Sequence, residues 1–431
     1  MKTDKSLRTL IFSLVLCPIL SFSTLVAQVQ SPDIDWIDTP SWEDQICASL
    51  SFLAQEAEGY YYNTGICVYD LTADSHLFGY NEYRMMRPAS TQKMLTAVSA
   101  LDILGPDHQY RTSLCASGDV VTDSLGRKVL DGDLYVVGDF DPEIDKDDIK
   151  AMAEAVRRAG IVSVRGRVLA DVSMKDTLIL GNGWCWDDSQ PFLTPLSLSG
   201  SDYQCRNYKN NLSRPELRFC EELVSQLSRQ HVSVSGSPAV GRGICSGSAG
   251  IRQLYAVSHP LSHFLPQMMK KSDNLYAESM FFQLGAEVKR GAGWKESASQ
   301  VEKVVERAGE SLSFMVVADG SGLSLYNYVT PMTEVAMLRY AYRNKTIFSA
   351  LYASLPIAGV DGTLASRMKS GRACNNVRAK TGTVSGVSCL TGYATASNGH
   401  MLAFSIMSNG VRSASEGRAF QDRVCEALVQ K

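Results

Sequence analysis

The two ends of the chain carry the same kind of pattern, and this constrains the fold more than any other feature. Near the N-terminus, residues 65–80 have the composition of two strands joined by a polar turn, and a helix with a buried face follows from Ser90. Near the C-terminus, residues 376–396 and 401–408 predict two strands, followed by a closing helix. Matching ends indicate one domain assembled from both, with the middle of the chain inserted into it.

We therefore predict a discontinuous catalytic domain formed by residues 28–111 and 251–431, and an inserted accessory domain formed by residues 112–250. The inserted part alternates short strand-like runs with helical stretches and turn residues, which indicates a mixed α/β arrangement. From about residue 251 the pattern is helical, with a break between two helices at Ser272-Asp273. The fold class predicted for the whole chain is α+β.

The first 27 residues have the layout of a cleavable secretory signal. Lys2, Lys5 and Arg8 precede an apolar run of roughly a dozen residues, which is too short to span a bilayer, and Ala27 offers a small residue at the cleavage point. We therefore expect the protein to be exported, and to reside in the periplasm or peripherally at the cell envelope.

Composition narrows the possible ligands. The formal net charge is -3 and the chain has no basic run, so a nucleic-acid partner is not expected. The cysteines form no Cys-x-x-Cys motif and the six histidines lie outside any motif, so neither a metal nor an organic cofactor is expected. Cys67 stands between Ile66 and Val68, and Cys425 follows Val424; such apolar settings are typical of buried thiols. Disulfides elsewhere and the oligomeric state remain open.

Three short motifs occur in a fixed order: Ser90-Thr91-Gln92-Lys93, Ser272-Asp273-Asn274 and Lys380-Thr381-Gly382. A serine hydroxyl needs an adjacent base to act as a nucleophile, and residues i and i+3 of a helix share one face. A second Ser-x-x-Lys pattern at 366–369 is excluded, because no Ser-x-Asn separates it from Lys380. The ordered set is the active-serine signature of penicillin-binding proteins and serine β-lactamases.

Further segments support this interpretation. Residues 319–324 (Asp-Gly-Ser-Gly-Leu-Ser), 376–383, 355–364 and stretches of the insertion such as 138–142 resemble the class C low-molecular-mass penicillin-binding proteins, from about residue 60 to the end. These are D-alanyl-D-alanine carboxypeptidases and endopeptidases. The resemblance implies a penicillin-binding protein/β-lactamase-like transpeptidase fold, in which an antiparallel sheet is flanked by helices and the active site lies where the sheet edge meets a helical cluster.

The resemblance also implies roles for the first two motifs. Ser90 would attack the D-Ala–D-Ala carbonyl and become acylated, with Lys93 as general base. Ser272 would relay a proton to the leaving amine, and Asn274 would fix Lys93 and the acyl amide.

The third motif would bind the substrate. Lys380 and Thr381 would hold its terminal carboxylate, with Thr383 sharing this task, and Gly382 would let the ligand backbone approach closely. The backbone N–H groups of Ser90 and Thr383 would form the oxyanion hole. Asp141 is a candidate ligand for the free amine of a diaminopimelate side chain; the alternative is a turn-forming aspartate before proline.

We therefore expect a serine-type D-Ala-D-Ala carboxypeptidase, and also a DD-endopeptidase, that acts on peptidoglycan stem peptides and cross-links and is acylated by β-lactams. One alternative is a serine β-lactamase, although the chain contains no Leu-Asn pair for a deacylating Glu-x-x-Leu-Asn segment. The other is a catalytically silent peptidoglycan-binding protein. We interpret 319–324 mainly as a tight turn.

Overall fold

The computed structural model describes residues 40–60, 63–178, 180–185, 194–199, 214–243 and 250–430. The predicted signal segment, residues 1–27, lies outside them. Among the described residues, no helix combines the length and the apolar composition that crossing a membrane requires. The helices are α1 Trp42–Tyr60, α2 Gln92–Ile103, α3 Lys146–Arg158, α4 Pro215–Arg229, α5 Leu261–Lys270, α6 Asn274–Val288, α7 Trp294–Arg307, α8 Pro331–Arg343, α9 Lys345–Ser354 and α10 Ala414–Leu428.

The strands are distributed over three sheets. Their bounds are β1 Asn63–Asp70, β2 Ser75–Tyr80, β3 Gln109–Ser117, β4 Asp119–Thr122, β5 Lys128–Asp131, β6 Leu134–Val137, β7 Ile161–Val164, β8 Val168–Asp171, β9 Ser233–Val234, β10 Ala239–Gly241, β11 Ile251–Pro260, β12 Arg378–Val384, β13 Val387–Thr395 and β14 Met401–Asn409.

The main sheet is built from both ends of the chain. Its order is β12-β13-β14-β1-β2, and all neighbouring strands are antiparallel. Strand β1 pairs with β14 along its whole length, from Asn63 opposite Asn409 to Asp70 opposite Leu402. Strands from the two ends of the chain thus share one sheet.

Side chains alternate between the two faces of this sheet, as a two-residue period requires. In β14, Leu402, Phe404 and Ile406 join a core with residues of α1 and α10. Ala403 and Met407 point to the other face and join the core formed by α2 and the helices α5 to α9. The expected arrangement is confirmed: the first and last helices cover one face, and a helical cluster covers the other.

Two expectations about secondary structure are wrong. Residues 376–396, predicted as one strand, form the hairpin β12–β13, which turns at Gly386 with a φ of 73°.

Residues 251–260, predicted to begin the helical part, form β11, which pairs antiparallel with β3. Its apolar residues, Ile251 and the run Leu254 to Val257, do not alternate with polar ones as in a half-buried strand. Its extended conformation is supported by cross-strand backbone hydrogen bonds, which leave no periodic signal in the sequence.

The middle of the chain forms two mixed sheets. One has the order β10-β8-β6-β3-β11 and the other β4-β5-β7-β9, with both parallel and antiparallel neighbours in each. Helices α3 and α4 pack against them in a shared apolar core. The predicted domain limits, 111/112 and 250/251, fall inside β3 and at the start of β11, which pair with each other. The division into domains at these limits stays a prediction.

The apolar core between the main sheet, α1 and α10 should carry much of the stability. Phe404 is 0% exposed within it, whereas Phe52 on α1 is 65% exposed. We expect Phe404→Ala to lower the free energy of unfolding by about 3–5 kcal/mol, because it removes buried contacts and leaves a cavity. Phe52→Ala is the matched control and should change it by less than about 0.5 kcal/mol in urea unfolding. Equal effects of the two substitutions would contradict this account of the core.

Candidate active site

Ser90 lies in a short 3₁₀ turn, Ala89–Thr91, immediately before α2. Ala89 adopts a φ of 49°, a left-handed conformation that is strained for a residue with a side chain. The edge strand β12 passes directly against this turn. A Cβ atom on Gly382 would lie 2.5 Å from the Pro88 carbonyl oxygen and 3.0 Å from the Thr91 nitrogen. The absence of a side chain at Gly382 therefore lets the sheet edge approach the serine.

Lys93 faces Ser90 from the first turn of α2. Its Nζ lies 3.1 Å from the Ser90 Oγ and also donates to the Asn274 Oδ1 and the Ser321 carbonyl, each at 2.7 Å. An ammonium group has three hydrogens to donate, and these contacts supply three acceptors. The structure thus brings Ser90, Lys93 and Asn274 together.

Burial governs the charge of Lys93. The side chain is 0% exposed, and this burial lowers the pKa of Lys93 to about 8. The negative charges of Asp319, Glu278 and Asp273 have the opposite effect and raise the pKa. Lys380 is also fully buried, and burial together with the charge of Lys93 holds the pKa of Lys380 well below its ordinary value. Both lysines are therefore biased toward the neutral form.

Ser272 connects the second motif to the third. It adopts a φ of 58° in the break between α5 and α6, and its Oγ accepts a hydrogen bond from the Lys380 Nζ at 2.8 Å. Lys380 also donates to the Thr381 carbonyl at 2.7 Å. The Thr381 hydroxyl donates to the Thr363 hydroxyl at 2.9 Å, which adds a residue that the sequence did not indicate.

Asp141 belongs to a different set of contacts. Its side chain is 0% exposed, its Oδ2 lies 2.8 Å from the His259 Nδ1, and its Oδ1 accepts from the Glu143 N–H. The hydrogen bond to Asp141 raises the pKa of His259. None of these described contacts leads to Ser90, so a role for Asp141 in ligand binding stays a prediction.

Sequence reasoning missed the importance of residues 319–324. The segment forms the tight turn we expected, but it also supplies the Ser321 carbonyl that accepts from Lys93. Glu278, on α6, accepts from the backbone of this segment. The signal available in the sequence was the position of Glu278, four residues after Asn274 and therefore on the same helix face.

The arrangement is suited to nucleophilic catalysis. A serine hydroxyl at the start of a helix lies beside a buried lysine whose pKa is lowered to about 8, and a second buried lysine lies at the adjoining sheet edge. A substrate carbonyl placed at the Ser90 turn would meet the Ser90 hydroxyl, the Lys93 amine and the backbone of the edge strand together.

The close approach of residue 322 to the Ser90 turn can be tested. Gly322 has a φ of 79°, and a Cβ there would lie 1.7 Å from the Ala89 carbonyl oxygen. We expect Gly322→Ala to displace the Ser90 turn and to slow its labelling by a fluorescent penicillin by roughly 100-fold, the effect of a small misplacement of a reacting group.

Gly399→Ala is the matched control. Gly399 has a φ of 88° but no atom within 4 Å of the added Cβ, so it reproduces the backbone strain without the collision. Wild-type labelling of Gly399→Ala is expected. Wild-type labelling of Gly322→Ala would show that the collision does not matter.

Comparisons with known proteins agree with this geometry. The model of the D-Ala-D-Ala carboxypeptidase 3 (S13) family matches residues 48–198 and 194–431. A D-alanyl-D-alanine carboxypeptidase of Actinomadura sp. (strain R39) is 28% identical over 97% of this chain and 90% of its own length. The D-alanyl-D-alanine carboxypeptidase DacB of Haemophilus influenzae is 27% identical over 81% of this chain and 85% of its own.

The fold agrees as well. The crystal structure of penicillin-binding protein 4 from Haemophilus influenzae superposes with a TM-score of 0.73 at 24% identity, and the match covers 87% of this chain and 98% of that one. The predicted transpeptidase-like fold is thereby confirmed. Because the family model matches most of the chain, the chain belongs to the D-Ala-D-Ala carboxypeptidase 3 (S13) family.

Proposed function

We propose that the protein is a serine-type D-Ala-D-Ala carboxypeptidase of the cell envelope that acts on peptidoglycan stem peptides through an acyl-enzyme on Ser90. The observation that carries this proposal is the partly buried contact of 3.1 Å between the Lys93 Nζ and the Ser90 Oγ, in a chain of this family. Export to the periplasm or its periphery is part of the proposal, because the substrate lies there.

The acylation step follows from the contacts of the first two motifs. The Ser90 Oγ attacks the carbonyl carbon of the penultimate D-Ala, and its proton passes to the neutral Nζ of Lys93. The C–N bond to the terminal D-Ala then breaks, and the proton held by Lys93 passes through the Ser272 hydroxyl to the leaving amine, which returns Lys93 to its neutral form. Water later hydrolyses the ester and restores the free Ser90 hydroxyl.

The third motif provides the binding surface for the substrate. Lys380 and Thr381 lie at the sheet edge beside Ser272, where they can bind the terminal carboxylate. An incoming carboxylate favours the charged form of Lys380 and so raises its pKa, whereas burial lowers it. The Ser90 and Thr383 N–H groups would receive the developing oxyanion, since Gly382 lets this strand lie against the Ser90 turn.

The same acyl-enzyme serves carboxypeptidase and endopeptidase reactions, because only the leaving amine differs. We propose that the protein performs both, with free D-Ala or the side-chain amine of a cross-link as leaving group. For the third residue of the stem peptide we keep Asp141 as the proposed ligand of a free amine. An amine that reached Asp141 would have to share the carboxylate with His259.

Ser90 as nucleophile is tested by intact-mass spectrometry after incubation with benzylpenicillin. We expect one stable adduct on the wild-type protein and none on Ser90→Ala, because the variant lacks the attacking oxygen. An adduct that disappears within seconds would indicate a β-lactamase instead. An unlabelled wild type would contradict the enzymatic proposal and favour a peptidoglycan-binding protein.

The acylation rate should depend on pH through Lys93. Neutral Lys93 is the reactive form and its pKa is about 8, so the rate constant should rise with pH through a midpoint near 8. Below the midpoint, it should fall by about tenfold for each pH unit, as the fraction of neutral lysine does. Stopped-flow measurement with a fluorescent penicillin would check this, and a rate constant independent of pH across this range would rule out Lys93 as the base.

A further inference from the structure

Residues 319–324 are fixed on α2 at two points. The Ser321 carbonyl accepts from the Lys93 Nζ, and the Gly320 carbonyl accepts from the Thr96 hydroxyl, each at 2.7 Å. Residues 93 and 96 are one turn apart on the helix, so the segment lies along the face that carries the base. The position of the Lys93 ammonium group is therefore tied to the position of this segment.

Glu278 holds the same segment from the opposite side. Its side chain is 0% exposed, and its two oxygens accept from the Ser321 N–H at 2.8 Å and the Gly320 N–H at 3.2 Å. Glu278 lies four residues after Asn274, which contacts Lys93 directly. Helix α6 thus fixes Lys93 twice: through Asn274, and through the backbone that Glu278 binds.

Asp319 closes the segment on itself. One carboxylate oxygen accepts from the Gly322 N–H and the Asn327 Nδ2, both at 2.7 Å. The other accepts from the Ser324 N–H at 2.7 Å and from the Trp184 Nε1 at 2.8 Å. These four bonds to a group that is 1% exposed fix the course of the backbone. Trp184 comes from the middle part of the chain, which thereby contacts the active-site segment.

The two carboxylates also act on the charge of Lys93. The negative charges of Asp319, Glu278 and Asp273 raise the pKa of Lys93. Lys380 is the other buried lysine of the site, and the charge of Lys93 lowers its pKa. Burial, followed by the charge of Asp319, raises the pKa of Glu278 to about 8. The charge of the Glu278–Asp319 pair is therefore coupled to the proton on the base.

We propose that Glu278 and Asp319 are positioning residues for acylation, which hold Lys93 beside Ser90 through residues 319–324. Neither side chain bonds to Ser90 in the contacts described; both act through the backbone and the charge that surround Lys93. The inference rests on the proposed function, because it requires Lys93 to be the base. A merely structural role predicts a loss of stability with an unchanged dependence of acylation on pH.

The test compares the pH dependence of acylation by a fluorescent penicillin in the full-length wild type, Glu278→Gln and Asp319→Asn. Glu278→Gln removes the negative charge that this carboxylate carries from about pH 8 upward and keeps a carbonyl acceptor, so the midpoint near 8 should move to lower pH. Asp319→Asn also removes a negative charge and leaves one acceptor oxygen for four donors. Its midpoint should move in the same direction, and its maximal rate constant should fall by at least about tenfold.

Asp171→Asn is the matched control, because Asp171 is an equally buried carboxylate on β8, outside the active site. It should lower the melting temperature but leave the midpoint unchanged. If both test variants keep the wild-type midpoint while the wild type is acylated, the inference is overturned and the proposed function stands. A wild type that is not acylated would overturn both.

Trp184→Phe provides a test that does not depend on the folding of Asp319→Asn. It keeps an aromatic ring but removes the N–H from which Asp319 accepts a hydrogen bond, together with one ring of the indole, a loss of volume that the control Trp294→Phe reproduces. The loss of one of four bonds should slow acylation by roughly threefold to tenfold, while Trp294→Phe on α7 should have no effect. Equal rate constants for Trp184→Phe and the wild type would overturn the role assigned to Asp319.

Discussion

The burial of the Lys93 ammonium group is the constraint on which the rest of the site depends. A charged amine removed from water is unfavourable unless it is surrounded by acceptors, and otherwise it loses its proton. Here both responses are present: three oxygens surround the Nζ, and the pKa of Lys93 is lowered to about 8. The Lys93 amine is thus held in one position, and its proton can be gained or lost at a pH near 8.

Two backbone segments enclose the turn that carries Ser90, and each depends on a glycine. Gly382 lets the sheet edge approach from one side, and Gly322 lets residues 319–324 pass beside Ala89. The turn itself contains Ala89 in a left-handed conformation. Such a conformation persists only where neighbouring structure determines it, and these two contacts provide that support.

The sequence was sufficient to propose Ser90 as nucleophile and Lys93 as its base, because this proposal depends on particular side chains at fixed spacing. Helical periodicity also predicted α2 and the two helices, α5 and α6, that are separated at Ser272-Asp273. It did not reveal β11 or the turn at Gly386, since pairing between strands rests on backbone groups common to all residues. The hydrogen bond from Lys93 to Ser321 could not be predicted either, because its acceptor is a backbone carbonyl, which every residue has.

Asp141 illustrates a different limit. A short motif suggested a ligand, but the neighbours of its carboxylate depend on which strand passes beside it, and His259 comes from β11, which sequence reasoning did not identify as a strand. The hydrogen bond from Trp184 to Asp319 was equally hard to predict, because 135 residues separate the two partners. Contacts between distant segments of this kind require the topology to be known first.

The pairing of β1 with β14 has a consequence for how the chain reaches its native state. Thr64 and Ser408 are partners in this ladder although 344 residues separate them. The loop between them must be closed before the central strands of the main sheet can meet, and contacts at such separation form slowly. Helices such as α2 can form locally during synthesis, but the main sheet cannot assemble until β14 has been made.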